Sequence, residues 1–268
     1  PVGPGSPFVD FIRSGCLPVA RLSRIFRQGV GSAIVDNAHR INHGDVPEPT
    51  PPGTPIQDFY FVHRTEPADV KATVERLVAE RIPSRFGFDP VADIQVLSPM
   101  RSGPIGIEQL NADLQALLNP DGEEMRIGET IYRVGDKVMQ VRNDYDRNVF
   151  NGDLGRVHRG IPKERRAIVQ VDGRAVVYER AHLDDLVLAY AVSVHKAQGS
   201  EYPAVVLLVT TQHFTMLKRN LVYTGITRGR KLVVLVGSQR ALQIAASRSE
   251  TDQRNSMLVD RFRMVIRE

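Results

Sequence analysis

The hydrophobic residues follow strand and helix patterns in turn over two parts of the chain, before residue 129 and after residue 185. Short apolar runs predict strands at about 21–26, 58–63, 93–98, 186–189, 205–209 and 232–236. Apolar residues three and four positions apart predict helices at about 32–43, 65–78, 107–118, 221–229 and 240–247. Because strands that alternate with helices form parallel sheets covered by those helices, the pattern predicts an α/β fold.

Residues 129–185 carry a different pattern, in which every predicted element is a short strand. Two pairs of turn residues, Asn151-Gly152 and Asp172-Gly173, predict hairpin turns. A series of short strands in so small a segment is typical of a small barrel, so this segment is predicted to be an inserted all-β domain. The ends of the chain are predicted to be a loop over residues 1–18 and a short amphipathic helix over residues 257–266.

Polar side chains concentrate between the strands predicted at 186–189 and 205–209. A short helix is predicted between these strands, and Gly199 supplies the left-handed residue that ends it. The polar residues of this stretch are His195, Lys196, Gln198, Ser200 and Glu201. They are predicted to lie together at a strand–helix–strand corner, where α/β proteins place ligands. On this stretch alone, a ligand site and a polar helix surface with a glycine cap are equally consistent with the sequence.

Three cations fall within four positions near the end of the helix predicted at 221–229. Arg228 is predicted to lie in the last helical turn, where a cation complements the helix dipole by less than about 1 kcal/mol. Arg230 and Lys231 follow directly, and such a cluster repels itself unless an anion joins it. This second stretch therefore favours an anion-binding site.

These two stretches resemble motifs V and VI of superfamily 1 helicases, in the RecD-like branch of superfamily 1B, the exodeoxyribonuclease V alpha-subunit type. The matching sequences are AYAVSVHKAQGSEYPAVVLL and LVYTGITRGRKLVVLVG. RIFRQ at 24–28 is similar to motif IV, and VLSPM at 96–100 and GDKVMQ at 135–140 also match, in the same order along the chain. The resemblance therefore covers nearly the whole chain.

The resemblance implies a domain organisation. Residues 20–128 and 186–268 would form a RecA-like parallel-sheet motor domain, called 2A. Residues 129–185 would form an inserted SH3-like barrel, called 2B. Residues 1–19 would be a remnant of the preceding motor domain.

The resemblance also implies an ATP-dependent DNA helicase that moves 5′ to 3′ and acts in DNA repair or recombination. The sequence contains no Gly-x-x-x-x-Gly-Lys-Ser/Thr phosphate loop and no plausible acidic site for magnesium. The chain is therefore expected to be the C-terminal motor half, inactive as an ATPase alone and without bound ATP or Mg²⁺. A missing N-terminal motor domain, single-stranded DNA and recombination or repair proteins are its expected partners.

Two arginines and a short segment are the expected nucleotide contacts. Arg27 and Arg228 match the arginine fingers of motifs IV and VI, for which arginine is suited because it stays charged and grips phosphate with two donors. Nucleotide binding is expected at Gln198, Gly199, Glu201 and Arg228, with Glu201 on the nucleotide sugar. The alternatives are a surface position for Arg27 and an exposed glutamate at a strand start for Glu201.

DNA contacts are expected on three other loops. Ser193 and His195 match phosphate-contacting positions of motif V, although a capping or packed histidine is an alternative. Pro99, Met100 and Arg101 follow a predicted strand end, where Met100 packs against either a base or the core. A cation, an amide and an aromatic ring suited to single strands come together at Arg142, Asn143 and Tyr145. An ordinary hairpin loop is the alternative there, because Asn and Asp favour turns.

Composition limits the other possibilities. The net charge of +4 and pI near 9.3 permit an anionic partner. Cys16, the single cysteine, excludes an intramolecular disulfide and a cysteine-based zinc site, and no metal site is predicted. No run reaches membrane-spanning length and no signal peptide is recognised, so a cytoplasmic protein without a membrane partner is expected. Two rival functions remain, a non-catalytic nucleic-acid-binding module and a scaffold that recruits a partner through the barrel.

Overall fold

The structure is a computed structural model that describes residues 7–20, 31–51, 53–54, 57–161, 166–249 and 257–265. Arg27 and the strand predicted at 21–26 lie outside the described residues. Contacts divide the chain into two units, one formed by residues 28–249 and the other by residues 1–27 with 250–268.

The described helices are α1 (Pro7–Ser14), α2 (Ala33–His43), α3 (Pro67–Arg76), α4 (Ile82–Phe86), α5 (Ile107–Leu118), α6 (Arg219–Ile226), α7 (Gln239–Ser247) and α8 (Leu258–Val265). A π-helical turn joins α3 to α4 at Leu77–Arg81, and 3₁₀ turns lie at Arg180–Asp185 and Thr211–His213. The described strands are β1 (Phe59–His63), β2 (Ile94–Leu97), β3 (Glu124–Ile127), β4 (Thr130–Arg133), β5 (Lys137–Gln140), β6 (Leu154–Ile161), β7 (Arg166–Val171), β8 (Arg174–Tyr178), β9 (Leu186–Leu188), β10 (Ala191–Val192), β11 (Tyr202–Val209) and β12 (Gly229–Gly237).

A parallel sheet in the order β1-β12-β11-β2-β10 forms the centre of the larger unit. Side chains alternate across it: Val205 and Leu207 pack into one core with α2, α6 and α7, whereas Val206 and Leu208 pack into a second core with α3 and α5. Apolar residues are needed on both faces of such a strand, which explains the unbroken apolar run at 205–209. The predicted α/β architecture is confirmed.

Antiparallel strands occupy the middle of the chain, from Glu124 to Leu188, which extends beyond the predicted residues 129–185 at both ends. They form a sheet in the order β8-β7-β6-β5-β9 and a separate hairpin of β3 and β4. A core of their own includes Val138, Val169 and the fully buried Tyr178. The two-residue turn between β7 and β8 is formed by Asp172 and Gly173, both with positive φ (47° and 77°), as the Asp-Gly pair predicts.

Two predictions about the stretch before β11 were wrong. Leu186–Leu188 is a strand, but it pairs antiparallel with β5 and does not belong to the parallel sheet. The chain returns to the parallel sheet at the next strand, β10. Residues 194–199 form turns and not a helix. Ala197 N–H bonds Ser193 O across four residues, but the following N–H groups, of Gln198 and Ser200, bond carbonyls only three residues back.

Helix ends differ from the sequence predictions in two places. The residue before α3 is Glu66, one position beyond the start predicted at about 65, and Pro67 lies in the first turn. Ser32 precedes α2 as predicted, yet its hydroxyl donates to Asp58 Oδ2 (2.5 Å). The Asp58 carboxylate then accepts the Ala33 N–H (3.1 Å), so an acid 25 residues away replaces the local serine cap.

The smaller unit contains α1 and α8. Residues 7–14 were predicted as loop and form α1, while the predicted amphipathic helix near the other end is confirmed as α8. Phe11 packs against Phe262 with ring centroids 4.9 Å apart. The helix at 7–14 was missed because its apolar partner lies some 250 residues away in sequence.

Candidate nucleotide and DNA sites

The predicted ligand residues lie at opposite edges of the parallel sheet. All strands of this sheet end at one edge, the carboxyl edge, and start at the other, the amino edge. β10 ends at Val192 beside the last residue of β2, whereas β11 starts at Tyr202 beside Gly229, the first residue of β12. Residues 193–201, here called the crossing segment, therefore run from the carboxyl edge to the amino edge. The prediction of a single polar corner was wrong, because a connection between two parallel strands of one sheet has to run from one edge to the other.

Arg228 lies at the amino edge. It follows Thr227, the residue that ends α6, and so is not in the last helical turn as predicted. Its Nε donates to Thr224 O (3.1 Å), its Nη1 to Ser200 O (2.8 Å) and its Nη2 to the Thr227 hydroxyl (3.2 Å). The guanidinium therefore joins the end of α6 to the end of the crossing segment.

The neighbouring cations have contacts within the chain. Arg230 Nε lies 3.9 Å from Glu201 Oε2, with the Arg230 side chain 65% exposed, so this ion pair stabilises the fold little. Lys231 Nζ lies 5.9 Å from the centre of the Phe88 ring. An anion of the chain itself therefore joins this cluster, and binding of a further anion there stays a prediction. Glu201, the expected sugar contact, is half-buried beside Arg230.

Gln198 and Gly199 are exposed at the same end of the crossing segment. Gly199 has a φ of 89°, the left-handed conformation that its position predicts. Space around its missing β-carbon is open, so the glycine is required here by backbone conformation and not by a close neighbour. Both residues are accessible to a ligand that approaches the amino edge.

A cleft of about 880 Å³ lies at the carboxyl edge. One wall is α5, the opposite wall is formed by the β3–β4 hairpin with β5 and β9, and the start of the crossing segment closes one side. Polar lining residues include Arg101, Ser193 and Lys196, while Ile107, Ile131 and Leu188 are among the apolar ones. The cleft thus brings together two of the predicted DNA contacts, Arg101 and Ser193.

The loop after β2 shows which of its residues can reach a ligand. Pro99 is buried, whereas Met100 and Arg101 are exposed. Arg101 Nε donates to Glu108 Oε1 (2.7 Å), and this hydrogen bond, with a second from Ser102, lowers the pKa of the Glu108 carboxyl. Part of the Arg101 charge is thereby balanced within the loop.

The connection between β5 and β6 is an ordered loop that carries the third group of predicted DNA contacts. Arg142 and Tyr145 point outward, 79% and 77% exposed, and Arg142 Nε is 3.6 Å from Asp185 Oδ1. Asn143 Oδ1 accepts the Asn151 N–H (2.9 Å), so its amide serves the turn, as the alternative interpretation holds. The Asn151-Gly152 pair does form a turn, within this loop and not directly between two strands.

Asp144 and Arg147 brace this loop. The backbone and side-chain N–H groups of Arg147 bond the Asp144 carboxylate at 2.8 and 2.9 Å and hold its pKa below the usual range. The Arg147 guanidinium also lies over the ring of the buried Tyr178, 4.5 Å from its centre.

Lys196 links this loop to the crossing segment. Its Nζ donates to Asn151 Oδ1 (2.6 Å), and its backbone N–H bonds the Ser193 hydroxyl (3.1 Å). The loop with Arg142 and Tyr145 and the segment with Ser193 and His195 are therefore adjacent. Local sequence predicts only a turn at Asn151, because the contact joins residues 45 positions apart.

Two buried charged residues at the start of β5 connect the two sheets. Asp136 accepts hydrogen bonds from Gln115 Nε2 (2.6 Å), Asn119 Nδ2 (2.7 Å), the Tyr190 hydroxyl (2.9 Å) and the Arg133 N–H (2.6 Å). Lys137 Nζ donates to the carbonyl oxygen of Ile94 (3.0 Å), the first residue of β2 in the parallel sheet. Burial lowers the pKa of the Lys137 side chain to about 7. The GDKVMQ match includes both residues, but this role depends on contacts with distant residues that no local pattern predicts.

Asn111 has a structural role. Its amide donates to Ala191 O and accepts the Ala191 N–H, both at 2.9 Å, and so holds the edge strand β10. Among the described residues, no group of three His, Cys, Asp or Glu side chains is arranged to hold a metal ion. A search of the same residues for a helix long and apolar enough to cross a membrane found none.

Comparisons with known proteins agree with this architecture. Residues 110–172 match the family model of the ATP-dependent RecD-like DNA helicase SH3 domain, and residues 188–236 match the UvrD-like helicase C-terminal domain. The ATP-dependent RecD2 DNA helicase of Deinococcus radiodurans is 37% identical over 263 residues, which are 98% of this chain and 34% of that protein. The RecBCD enzyme subunit RecD of Mycolicibacterium smegmatis is 30% identical over 58% of this chain and 27% of that protein.

Among solved structures, the Pif1 helicase from Bacteroides in complex with ADP-AlF3 and single-stranded DNA has a TM-score of 0.55 at 17% identity, over 92% of this chain and 56% of that one. This likeness shows a shared RecA-like fold. The chain spans about a third or less of the length of the two curated relatives named above. Within that span, the chain is related to the RecD-like DNA helicases: it carries their SH3 domain together with a UvrD-like helicase C-terminal domain.

Proposed function

We propose that this chain is the C-terminal motor half of an ATP-dependent DNA helicase that moves 5′ to 3′ along one strand. Residues 20–128 and 186–268 would be the motor domain 2A, residues 129–185 the barrel 2B, and residues 1–19 the remnant of the preceding motor domain. ATP and Mg²⁺ would be bound only when an N-terminal motor domain supplies the phosphate loop. Direction of movement rests on the family resemblance.

The crossing segment is the observation that carries this proposal. It starts at Ser193 on the wall of the cleft and ends beside Arg228, whose guanidinium holds the Ser200 carbonyl at 2.8 Å. A displacement of Arg228 at the amino edge therefore pulls on the same nine residues that touch the cleft at the carboxyl edge. A helicase needs this kind of connection between nucleotide and DNA, whereas a simple binding module does not.

The residues at the amino edge suit the phosphate end of a nucleotide but not a magnesium ion. Arg228 is a permanent cation beside the exposed Gln198 and Gly199, and guanidinium groups stabilise charge that develops during phosphoryl transfer. We assign Arg228 the role of arginine finger and Glu201 that of sugar contact, for which Glu201 must leave Arg230. Arg27 is the second finger by resemblance alone.

Single-stranded DNA is the proposed ligand of the carboxyl edge. Arg101, Ser193 and His195 would contact phosphates, Met100 would pack against a base, and Arg142 and Tyr145 would complete the path on the barrel. A duplex is a poorer ligand because apolar side chains in the lining of the cleft, such as Ile107, Ile131 and Leu188, suit unpaired bases. Repair or recombination proteins remain the expected partners.

The rival scaffold function needs an exposed aromatic groove on the barrel. Tyr132 and Tyr178 are buried, at 4% and 0% exposure, which leaves only Tyr145 and Phe150 at the surface. Two rings do not form a peptide groove, so the structure favours nucleic acid.

A salt titration of a fluorescent single-stranded oligonucleotide tests the DNA-binding part. With roughly two to four phosphate contacts, log Kd should change with log salt by a slope of about 1.4–2.8, because each contact contributes about 0.7. Arg142→Ala should reduce this slope by about 0.7, whereas Tyr145→Ala should weaken binding equally at every salt concentration. Arg76→Met on the surface of α3 is the charge-matched control. Absence of binding even at low salt would contradict the proposal.

A further inference from the structure

Two loops from different sheets are joined beside the cleft. The hydrogen bond from Lys196 Nζ to Asn151 Oδ1 (2.6 Å) connects the crossing segment to the β5–β6 loop. Gly152 also lies close to Lys196: a β-carbon placed on Gly152 would be 4.0 Å from the Lys196 carbonyl oxygen. The connection therefore fixes how the β5–β6 loop stands relative to the DNA-facing start of the crossing segment.

The β5–β6 loop presents two aromatic rings next to this connection. Tyr145 and Phe150 meet edge to face, with centroids 5.8 Å apart and planes at 74°, and are 77% and 39% exposed. Paired backbone hydrogen bonds between Asp144 and Val149 (2.7 and 3.0 Å) close the loop behind them. The rings are thus held in place before any ligand arrives, which reduces the entropy lost on binding.

We propose that Tyr145, Phe150 and Lys196 form a binding site for one unpaired nucleotide. Asn151 is the positioning residue, which holds Lys196 next to the two rings. This inference rests on the proposed function and adds Phe150, Lys196 and Asn151 to it. The base stacks on the aromatic pair and the adjacent phosphate accepts a hydrogen bond from Lys196.

The lysine ammonium has three N–H donors, so it can keep Asn151 while it binds the phosphate. Every base has a flat aromatic face, so the site is tolerant of sequence. A paired base is already stacked between its neighbours and cannot reach Tyr145, so the site selects single over double strands.

The test uses the whole chain and an oligonucleotide that contains 2-aminopurine, whose fluorescence is quenched by stacking. Tyr145→Ala should abolish the quenching and weaken binding about 5- to 140-fold. Asn151→Ala leaves every charge and both rings in place and should still weaken binding about 2- to 12-fold. Asn151 acts through the position of the rings. The double variant, which carries Tyr145→Ala and Asn151→Ala, should therefore have a Kd within about twofold of that of Tyr145→Ala.

Further variants separate positioning from charge. Lys196→Met should lose quenching and reduce the salt slope by about 0.7, while Lys196→Arg, which keeps donors for Asn151 and phosphate, should retain most of the quenching. On an oligonucleotide with an abasic site in place of 2-aminopurine, Tyr145→Ala should cost little. Arg76→Met is again the control for loss of a surface charge.

The proposal would be overturned if Asn151→Ala bound and quenched the oligonucleotide as the wild type does. It would also be overturned if the losses of binding free energy in the two single variants added up in the double variant. If Arg142→Ala still reduces the salt slope in that case, the proposed DNA path stands and only the nucleotide site is refuted. If the unmodified chain binds no single strand, both fail.

Discussion

Tyr190→Phe tests the hydrogen-bond network that joins the barrel to the parallel sheet. The change removes one oxygen from a side chain that is 2% exposed, and with it the hydrogen bond to Asp136 Oδ1 (2.9 Å). The acceptor is a carboxylate, so the bond stabilises the fold by about 1.5–3 kcal/mol. The other three donors to Asp136 remain. The free energy of unfolding should therefore fall by about that amount.

Tyr60→Phe is the matched control. The Tyr60 hydroxyl donates to Gln57 Oε1 (3.1 Å), a neutral acceptor, and the residue is only half-buried. Its loss should cost at most about 0.5–1.5 kcal/mol. Urea unfolding monitored by circular dichroism measures both variants.

Asp136→Asn should be more damaging than Tyr190→Phe. The new amide N–H₂ faces a shell made only of donors, from Gln115, Asn119, Tyr190 and the Arg133 backbone, so at least one donor meets another. Equal stability of Tyr190→Phe and Tyr60→Phe, or an Asp136→Asn protein as stable as the wild type, would refute the view that this network carries the junction.

Two other predictions concern the chain alone. It should hydrolyse no ATP above background with or without DNA, since its sequence has no phosphate loop; turnover by pure protein that disappears in Arg228→Ala would mean that the nucleotide site has been misplaced. Its stability should rise with pH between about 7 and 10.5, because burial lowers the pKa of Lys137 to about 7 and the unfolded chain then binds more protons than the folded one. Lys137 contributes at most about 1.4 kcal/mol per pH unit in that window, so Lys137→Met should flatten the dependence and stabilise the protein near pH 7; an unchanged pH profile would contradict a buried, weakly basic lysine.

The sequence predicts the fold well wherever a local rule decides the structure. The Asp172-Gly173 turn follows from the positive φ that a two-residue hairpin requires, and Gly44 ends α2 in the left-handed conformation (φ 99°). Buried strands such as β11 follow from apolar residues on both faces. Leu117 shows the limit of periodicity, because it follows the buried Leu110 and Leu114 at helical spacing and is nevertheless 46% exposed.

Long-range pairing explains the errors. Leu186–Leu188 is equally apolar in either sheet, and only its register with β5 decides where it belongs. The same holds for the candidate site. Arg228 and the crossing segment were recognised from their residues, but the bond from Arg228 to Ser200 and the bond from Lys196 to Asn151 depend on how the chain folds back on itself.

Arg228 provides the most direct test of the motor function. The measurement is DNA-stimulated ATP hydrolysis by the full-length helicase that carries this chain, compared between the wild type, Arg228→Ala and Arg230→Ala. We expect Arg228→Ala to lower the rate constant by about 10³- to 10⁵-fold, the range found for arginine fingers. The variant also loses the hydrogen bonds of Arg228 to Ser200, Thr224 and Thr227, so its thermal stability should fall, and the rates are compared at a temperature at which all three proteins are folded. Arg230→Ala, which removes an exposed cation two residues away, should keep most of the activity. Wild-type hydrolysis by Arg228→Ala, or equal losses in the two variants, would contradict the assignment of this chain as the motor half that completes the ATP site.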